Sequence, residues 1–209
     1  MSVFLDSFFA TFDQGILEFF HSLALSFGSF LTPLCKVLDV VGDFKTSLPL
    51  YLAIILFLFT RHKKIGMMIG ASLFIGISIG LLLKFGVGRM RPFDASPVYH
   101  DWWMMVGSIY ESDFSFPSGH AISVMAAATA YVIYRKRPRA LWVYAYVVLM
   151  CASRNYLMVH YPSDVLFGVL IGGVAALIAN QIVRLLYYFF EKYPNFFFSR
   201  FVLMRKKED

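Results

Sequence analysis

IGMMIGASLFIGISIGLLLK, residues 65–84, carries no charge until its last position. Ile65 to Leu83 comes close to the ~20 apolar residues that take an α-helix across a bilayer core. The chain on either side repeats the pattern. A run from about Gly42 to Thr60 closes on Arg61, His62, Lys63 and Lys64, and one from Ser118 to Tyr134 stops at Arg135-Lys136-Arg137-Pro138-Arg139. Ala140 to about Leu157 and Val165 to about Tyr187 make two more, and a basic tail follows that ends Arg205-Lys206-Lys207. With 59% of its 209 residues hydrophobic, 15% charged and a mean hydropathy of +0.66, the chain is too apolar for a soluble domain of this size. The reading is all-α: a single integral membrane helical bundle over 1–209, with five spans. The bundle occupies 44–190, and 191–209 is a basic cytoplasmic tail.

Residues 1–43 differ. Leu5, Phe8, Phe9, Phe12, Ile16, Phe19, Phe20, Leu23, Phe27, Phe30, Leu31 and Leu34 recur at helical spacing, but Asp6, Asp13, Glu18, His21, Lys36 and Asp39 interrupt them. Gly15, Gly28 and Pro33 break the run. An apolar stripe with a polar opposite face suits helices lying in the membrane interface. We therefore expect broken N-terminal amphipathic helices here, with a sixth span as the alternative. No cleavable signal peptide is expected, because the N-terminus lacks a basic lead.

The placement of charge orients the bundle. Residues 61–64, 135–139 and 184–209 hold three, four and six of the 19 Lys and Arg. That side is cytoplasmic by the positive-inside rule, in a plasma (inner) membrane. The net charge of +6 is no sign of nucleic-acid binding, since the basic residues cluster between apolar runs and form no stripe with aromatics. Cys35 and Cys151 are expected as free, buried thiols.

Three polar stretches fall on the opposite, extracytoplasmic face. Phe116-Pro117-Ser118-Gly119-His120 stands directly before an apolar run: Ser118 is a natural N-cap, and the first-turn N–H groups beyond it have no helical partner. Such a helix start favours an anion, Gly119 allows close approach, and His120 adds a proton donor. Lys84 ends the 65–83 run, and Arg91-Pro92 follows seven positions on; if the helix continues, Lys84, Gly88 and Arg91 share a face. Finally, Arg154 leaves the fourth run, His160 lies in the turn and Asp164 opens the fifth, so that a carboxylate can reach one nitrogen of His160. Each feature alone has an ordinary structural explanation. Together they give three cations, a helix-start cradle, one acid and one oriented histidine. Uncompensated cations at membrane depth are costly, and a dianionic phosphate would match them.

These stretches, Lys84-x6-Arg91-Pro92, Pro117-Ser118-Gly119-His120 and Ser153-Arg154-x5-His160-x3-Asp164, resemble the three-part signature of the type 2 phosphatidic acid phosphatase superfamily, which includes bacterial acid phosphatases and vanadium haloperoxidases. The resemblance implies metal-independent hydrolysis through a phosphohistidine. In it, His160 attacks phosphorus, Asp164 orients it and His120 protonates the leaving oxygen. Lys84, Arg91, Ser118, Gly119 and Arg154 hold the nonbridging oxygens. No metal or other cofactor is expected, and no obligate protein partner; the partners are the lipid substrate and the membrane. The expected activity is hydrolysis of a lipid phosphate or diphosphate, with undecaprenyl diphosphate favoured and phosphatidylglycerol phosphate or phosphatidic acid next. The alternatives are a phosphotransferase using an acceptor other than water, and a non-catalytic lipid-phosphate transporter, which would have no use for two histidines in different settings. The 93–115 loop, with Asp94, His100, Asp101, Glu111 and Asp113, is expected to be a solvated acidic loop, its Trp102-Trp103-Met104-Met105 run dipping into the bilayer at the lipid entrance.

Overall fold

The computed structural model describes residues 1–42, 52, 54, 56–58, 60 and 62–195. Most of the expected 42–60 span, and the basic tail beyond 195, lie outside the described residues. All regular elements among these residues are helical: α1 (Ser2–Phe8), α2 (Ala10–Gly42), α3 (Lys63–Val87), α4 (Pro92–Ala95), α5 (Pro97–Met105), α6 (Gly119–Arg135), α7 (Val143–Tyr156) and α8 (Pro162–Lys192), with a 3-10 turn over Pro138–Trp142. Ala10–Gly42, Lys63–Ala95 and Pro162–Lys192 are long and apolar enough to cross a membrane. The runs expected as the third and fourth spans form helices of 17 and 14 residues.

The bundle is built around α6, which packs against α8, α3 and α7. Small residues permit this. A Cβ on Gly168 of α8 would lie 2.7 Å from the Ser118 carbonyl oxygen, and one on Gly172 would lie 2.5 Å from that of Ile122. Backbones that approach this closely gain van der Waals contact where lipid offers no hydrophobic drive. The contact also sets the start of α6 against the start of α8, and the Ser118 N–H donates to the Asp164 carbonyl at 3.1 Å. Thus the two helix starts that carry His120 and Asp164 are locked together by packing.

The N-terminal region is broken, as its sequence predicts: α1 ends at Phe8, and α2 consists of two helical halves joined across a kink at Phe27 (φ −131°, ψ 18°), with Pro33 accommodated in the second. Its buried residues Asp13, Leu17, Ala24, Cys35 and Asp39 face the core, and Leu17, Ala24 and Cys35 pack with Phe93, Trp103 and Tyr156 to Val159. Asp13 reaches Ser163 at the start of α8, while Asp39 pairs with Arg154 at the end of α7. A straight helix would separate these two carboxylates by about 39 Å, at ~1.5 Å per residue. Both ends of α2 instead meet the same end of the bundle, so the bent helix lies across that end. Cys35 is buried, Cys151 half-buried, and both thiols are free.

Two local expectations are corrected. α3 does not run on to Arg91: Gly88 adopts a left-handed conformation (φ 62°) and its N–H caps the Lys84 carbonyl at 3.0 Å. This is a common glycine helix stop, and Lys84 and Arg91 converge through a turn rather than along a helical face. The tryptophans of α5 also point inward. Trp103 is buried, stacks on Phe93 with ring centroids 4.7 Å apart and donates to the Ile109 carbonyl; Trp102 stacks on His21 at 4.1 Å. Met104 and Met105 do remain exposed.

Candidate active site

The end of the bundle covered by α2 holds a cavity of about 400 Å³ whose lining includes Lys84, Gly119, His120, Ser123 and His160, with Asp39, Glu111 and Asp113. Its apolar wall comes from Ile77, Gly80 and Leu81 of α3 and Ile122 of α6. The three sequence stretches therefore meet in one place, although nothing in the chain brings them close before the helices pack.

His160 sits in the turn between α7 and α8, with only 1% of its surface exposed. Its Nε2 lies 3.4 Å from Arg91 Nη1, and its Nδ1 lies 3.7 Å from Asp164 Oδ2, beyond hydrogen-bond range. Nδ1 has no hydrogen-bond partner among the described residues. Burial, and then the charges of Arg91, Arg154, Lys84 and His120, push the imidazole well below its ordinary pKa. A neutral ring with an available lone pair follows at physiological pH, which is the form that can act as a nucleophile. His120, in the first turn of α6, has Nε2 3.8 Å from Asp39 Oδ1. Ser118 occupies the N-cap position with extended backbone, but its hydroxyl caps nothing; the buried Oγ has no partner among the described residues.

Three cations surround this centre, each already matched by a carboxylate. Lys84 Nζ pairs with Asp113 Oδ2 at 3.0 Å and also donates to the Phe114 carbonyl. Arg91 donates from Nη2 to Glu111 Oε2 at 2.7 Å and Asp113 Oδ1 at 2.5 Å, from Nε to the Asp113 carbonyl at 2.8 Å and from Nη1 to the Val159 carbonyl at 2.7 Å. Arg154, fully buried, forks between Asp39 Oδ1 and Glu111 Oε1. Burial alone would raise the Asp113 pKa, but Lys84 and Arg91 outweigh it and hold the carboxyl below its usual value. So the acidic loop is not simply solvated: Glu111 and Asp113 fold back onto the cations. Asp39, Glu111 and His120 also bring one ligand atom each within 4.8 Å of the others, a donor set open to a metal, although Arg154 already engages both carboxylates.

Behind His160 lies a second cluster that the sequence reading passed over. Arg89, 1% exposed, donates from Nη1 to Asp164 Oδ1 (2.6 Å) and Ser163 Oγ (2.7 Å), from Nη2 to Asp13 Oδ2 (2.9 Å) and from Nε to Asp6 Oδ1 (2.7 Å). Its guanidinium carbon stands 3.9 Å from the Tyr161 ring centroid. Asp164 Oδ2 accepts from Ser115 Oγ at 2.5 Å and the Tyr161 N–H at 2.9 Å. A signal for these residues was present: Asp13, Asp39 and Arg89 are charges within or beside apolar runs, where a charge is costly unless paired.

The model for the PAP2 superfamily matches residues 64–188, more than half of the chain, and the match contains all three motif stretches. The chain belongs to the PAP2 superfamily. Among curated proteins it is similar to an undecaprenyl-diphosphatase of Sulfolobus acidocaldarius, 32% identical over 131 residues, which cover 61% of this chain and 60% of the relative. It is also similar to a decaprenylphosphoryl-5-phosphoribose phosphatase of Mycobacterium tuberculosis, 34% identical over 125 residues, covering 58% and 63%. The chain thus spans about three fifths of the length of these curated relatives. Among solved structures, a PAP2-type phosphatidylglycerolphosphate phosphatase from Bacillus subtilis superposes with a TM-score of 0.63 at 23% identity, over 83% of this chain and 85% of that one. LpxE from Aquifex aeolicus gives 0.59 at 22% identity, over 79% and 94%. These two likenesses carry the fold.

Proposed function

We propose that this PAP2-superfamily protein is a membrane lipid phosphatase that works through a phosphohistidine on His160 and needs no metal. The observation that carries the reading is that His160 and His120 line one cavity with Lys84, while Arg91 and Arg154 reach it through the carboxylates of Glu111 and Asp113. Those carboxylates stand in for phosphate oxygens. When substrate displaces them, Lys84, Arg91 and Arg154, with the Ser118 hydroxyl and the N–H groups at Gly119, bind the nonbridging oxygens and stabilise the charge of the transition state. The His160 Nε2 lone pair forms the bond to phosphorus as the bond to the leaving oxygen breaks, and His120 supplies that oxygen's proton. Water then attacks the phosphohistidine, giving its proton back to His120 and releasing inorganic phosphate. Asp164, whose Oδ2 stands 3.7 Å from Nδ1, closes on that nitrogen as the ring gains positive charge in the attack.

The substrate is a lipid phosphate or diphosphate. Ile77, Leu81 and Ile122 give the cavity an apolar wall suited to the first carbons of a lipid, and the relative named for undecaprenyl diphosphate favours that substrate. We place the site on the extracytoplasmic face of the plasma membrane and the C-terminus in the cytoplasm. Five spans fit this arrangement: residues 42–60, α3, α6, α7 and α8. The bent α2 then lies in the outer interface, a placement supported by Asp13 and Asp39 both meeting the site end. The test is phosphate release by the purified protein from undecaprenyl diphosphate, phosphatidylglycerol phosphate and phosphatidic acid. Activity on at least one, abolished by His160→Ala, is expected. Full activity of His160→Ala would refute the mechanism.

A further inference from the structure

Arg89 is a buried cation that the proposed chemistry does not use. It does not line the cavity, yet its fork is fully engaged, with Asp6, Asp13, Ser163 and Asp164 as acceptors. An aspartate carboxylate turns about a soft terminal torsion, so its plane is set by what its oxygens bond. Arg89 takes Asp164 Oδ1, while Ser115 and the Tyr161 N–H take Oδ2, the oxygen that stands 3.7 Å from His160 Nδ1 and would close on it as the ring becomes charged. Asp13 braces the same turn, accepting the Ser163 N–H at 2.8 Å and the Ser163 hydroxyl at 2.7 Å while also accepting from Arg89.

We infer that Arg89 is a positioning residue for phosphoryl transfer: held by Asp6 and Asp13 of the N-terminal helices, it fixes the plane of the Asp164 carboxylate and through it the ring of His160. The inference rests on the reading of His160 as nucleophile. It gives α1 and α2 a part in the chemistry without either touching phosphate. Lysine can replace the planar fork only in part, because its ammonium keeps the charge but cannot serve acceptors spread along both edges of a guanidinium.

The experiment uses the full chain in detergent micelles, with water-soluble dioctanoyl phosphatidic acid as probe. Kinetics are compared for wild type, Arg89→Met, Arg89→Lys, Asp164→Asn, the Arg89→Met/Asp164→Asn double variant and His160→Ala. Loss of an outer-shell partner that orients a metal-bound histidine typically costs on the order of 10–100-fold in activity, and the same range is taken for a group that orients His160 through Asp164. Arg89→Met should lower kcat by about that much and leave KM within about twofold, and Arg89→Lys should recover part of the loss. The double variant should be no slower than Asp164→Asn alone, because the two residues act in series. Losses that multiply in the double variant, or a change in KM with kcat preserved, would overturn the inference. Should Arg89→Met fail to fold, Asp13→Asn alone and combined with Asp164→Asn puts the same question through the brace, with the same outcomes. An active His160→Ala would instead remove the reading beneath the inference, whatever Arg89 does.

Discussion

Glu111→Gln should tighten the binding of phosphate. In this structure the Glu111 carboxylate bridges Arg91 and Arg154, the two guanidinium groups that the proposed mechanism assigns to substrate. Phosphate must displace it. A charge-assisted hydrogen bond contributes about 1.5–3 kcal/mol and a neutral one about 0.5–1.5. An amide keeps one acceptor oxygen and puts an NH2 donor where the other stood, so one competing contact weakens by about 1 kcal/mol and the other, now donor against donor, is lost, at about 1.5–3 kcal/mol. The Glu111 side chain is 22% exposed, so solvent screening takes part of this back. A net of about 2–3 kcal/mol in favour of phosphate remains, which is about 30- to 150-fold in affinity.

The assay is competitive inhibition by inorganic phosphate or vanadate, measured on Glu111→Gln beside Asp113→Asn. Asp113 is half-exposed and its competing contacts are better screened, so its effect should be smaller. If Glu111→Gln binds phosphate no better than wild type, or worse, then Glu111 does not compete for the anion position and instead props the arginines in place for substrate.

Three further outcomes are expected. Hydrolysis should persist in excess EDTA and be inhibited by vanadate; strict dependence on an added divalent cation would direct attention to the Asp39, Glu111 and His120 donor set. In intact cells carrying a variant without native cysteines, Ser96→Cys should react with an impermeant maleimide and Pro138→Cys should not, and the reverse pattern would put the site in the cytoplasm. His120→Asn should lose most of the about 10²–10⁴-fold that general acid catalysis supplies on lipid monophosphates, whose alkoxide leaves badly, and little on nitrophenyl phosphate; equal losses would make His120 a phosphate-positioning group only.

The helices were legible because their cause is local. An apolar run closed by Lys or Arg reports a buried helix wherever it packs, and α3, α6, α7 and α8 lie within a few residues of the runs that foretold them. The gathering of the motif residues was legible because each sits at a helix end on one side of a charge count. Three things were not. Gly88 stops α3 through a left-handed residue, and a sequence written as Lys-x6-Arg invites a continuous helix until that turn is seen. The course of α2 depends on which of its polar residues find partners more than 100 positions away, such as Arg154 for Asp39, Tyr156 for Thr32 and Ser163 for Asp13. The inward turn of Glu111 and Asp113 depends on Arg91 and Arg154 being close enough to bridge, which the acidic composition of the loop does not reveal.

The charge arrangement explains why such a site is stable before substrate arrives. Lys84, Arg91 and Arg154 at membrane depth would be costly if left bare, and Asp39, Glu111 and Asp113 match them one for one. Asp39 is held on α2 and buried, whereas Glu111 and Asp113 lie on the loop between α5 and α6 and are partly exposed. Together these two loop carboxylates carry two negative charges, the same as a dianionic phosphate. Under the proposed mechanism, substrate entry would be an exchange of one dianion for another, and the site would never hold three unmatched cations. The same exchange would set a selectivity: a neutral headgroup, or one with a single negative charge, would displace the loop at a net electrostatic loss, while a phosphate monoester or terminal diphosphate would not. Under that mechanism the loop's acidity would act as a filter on charge at the mouth of the site, formed by Glu111 and Asp113.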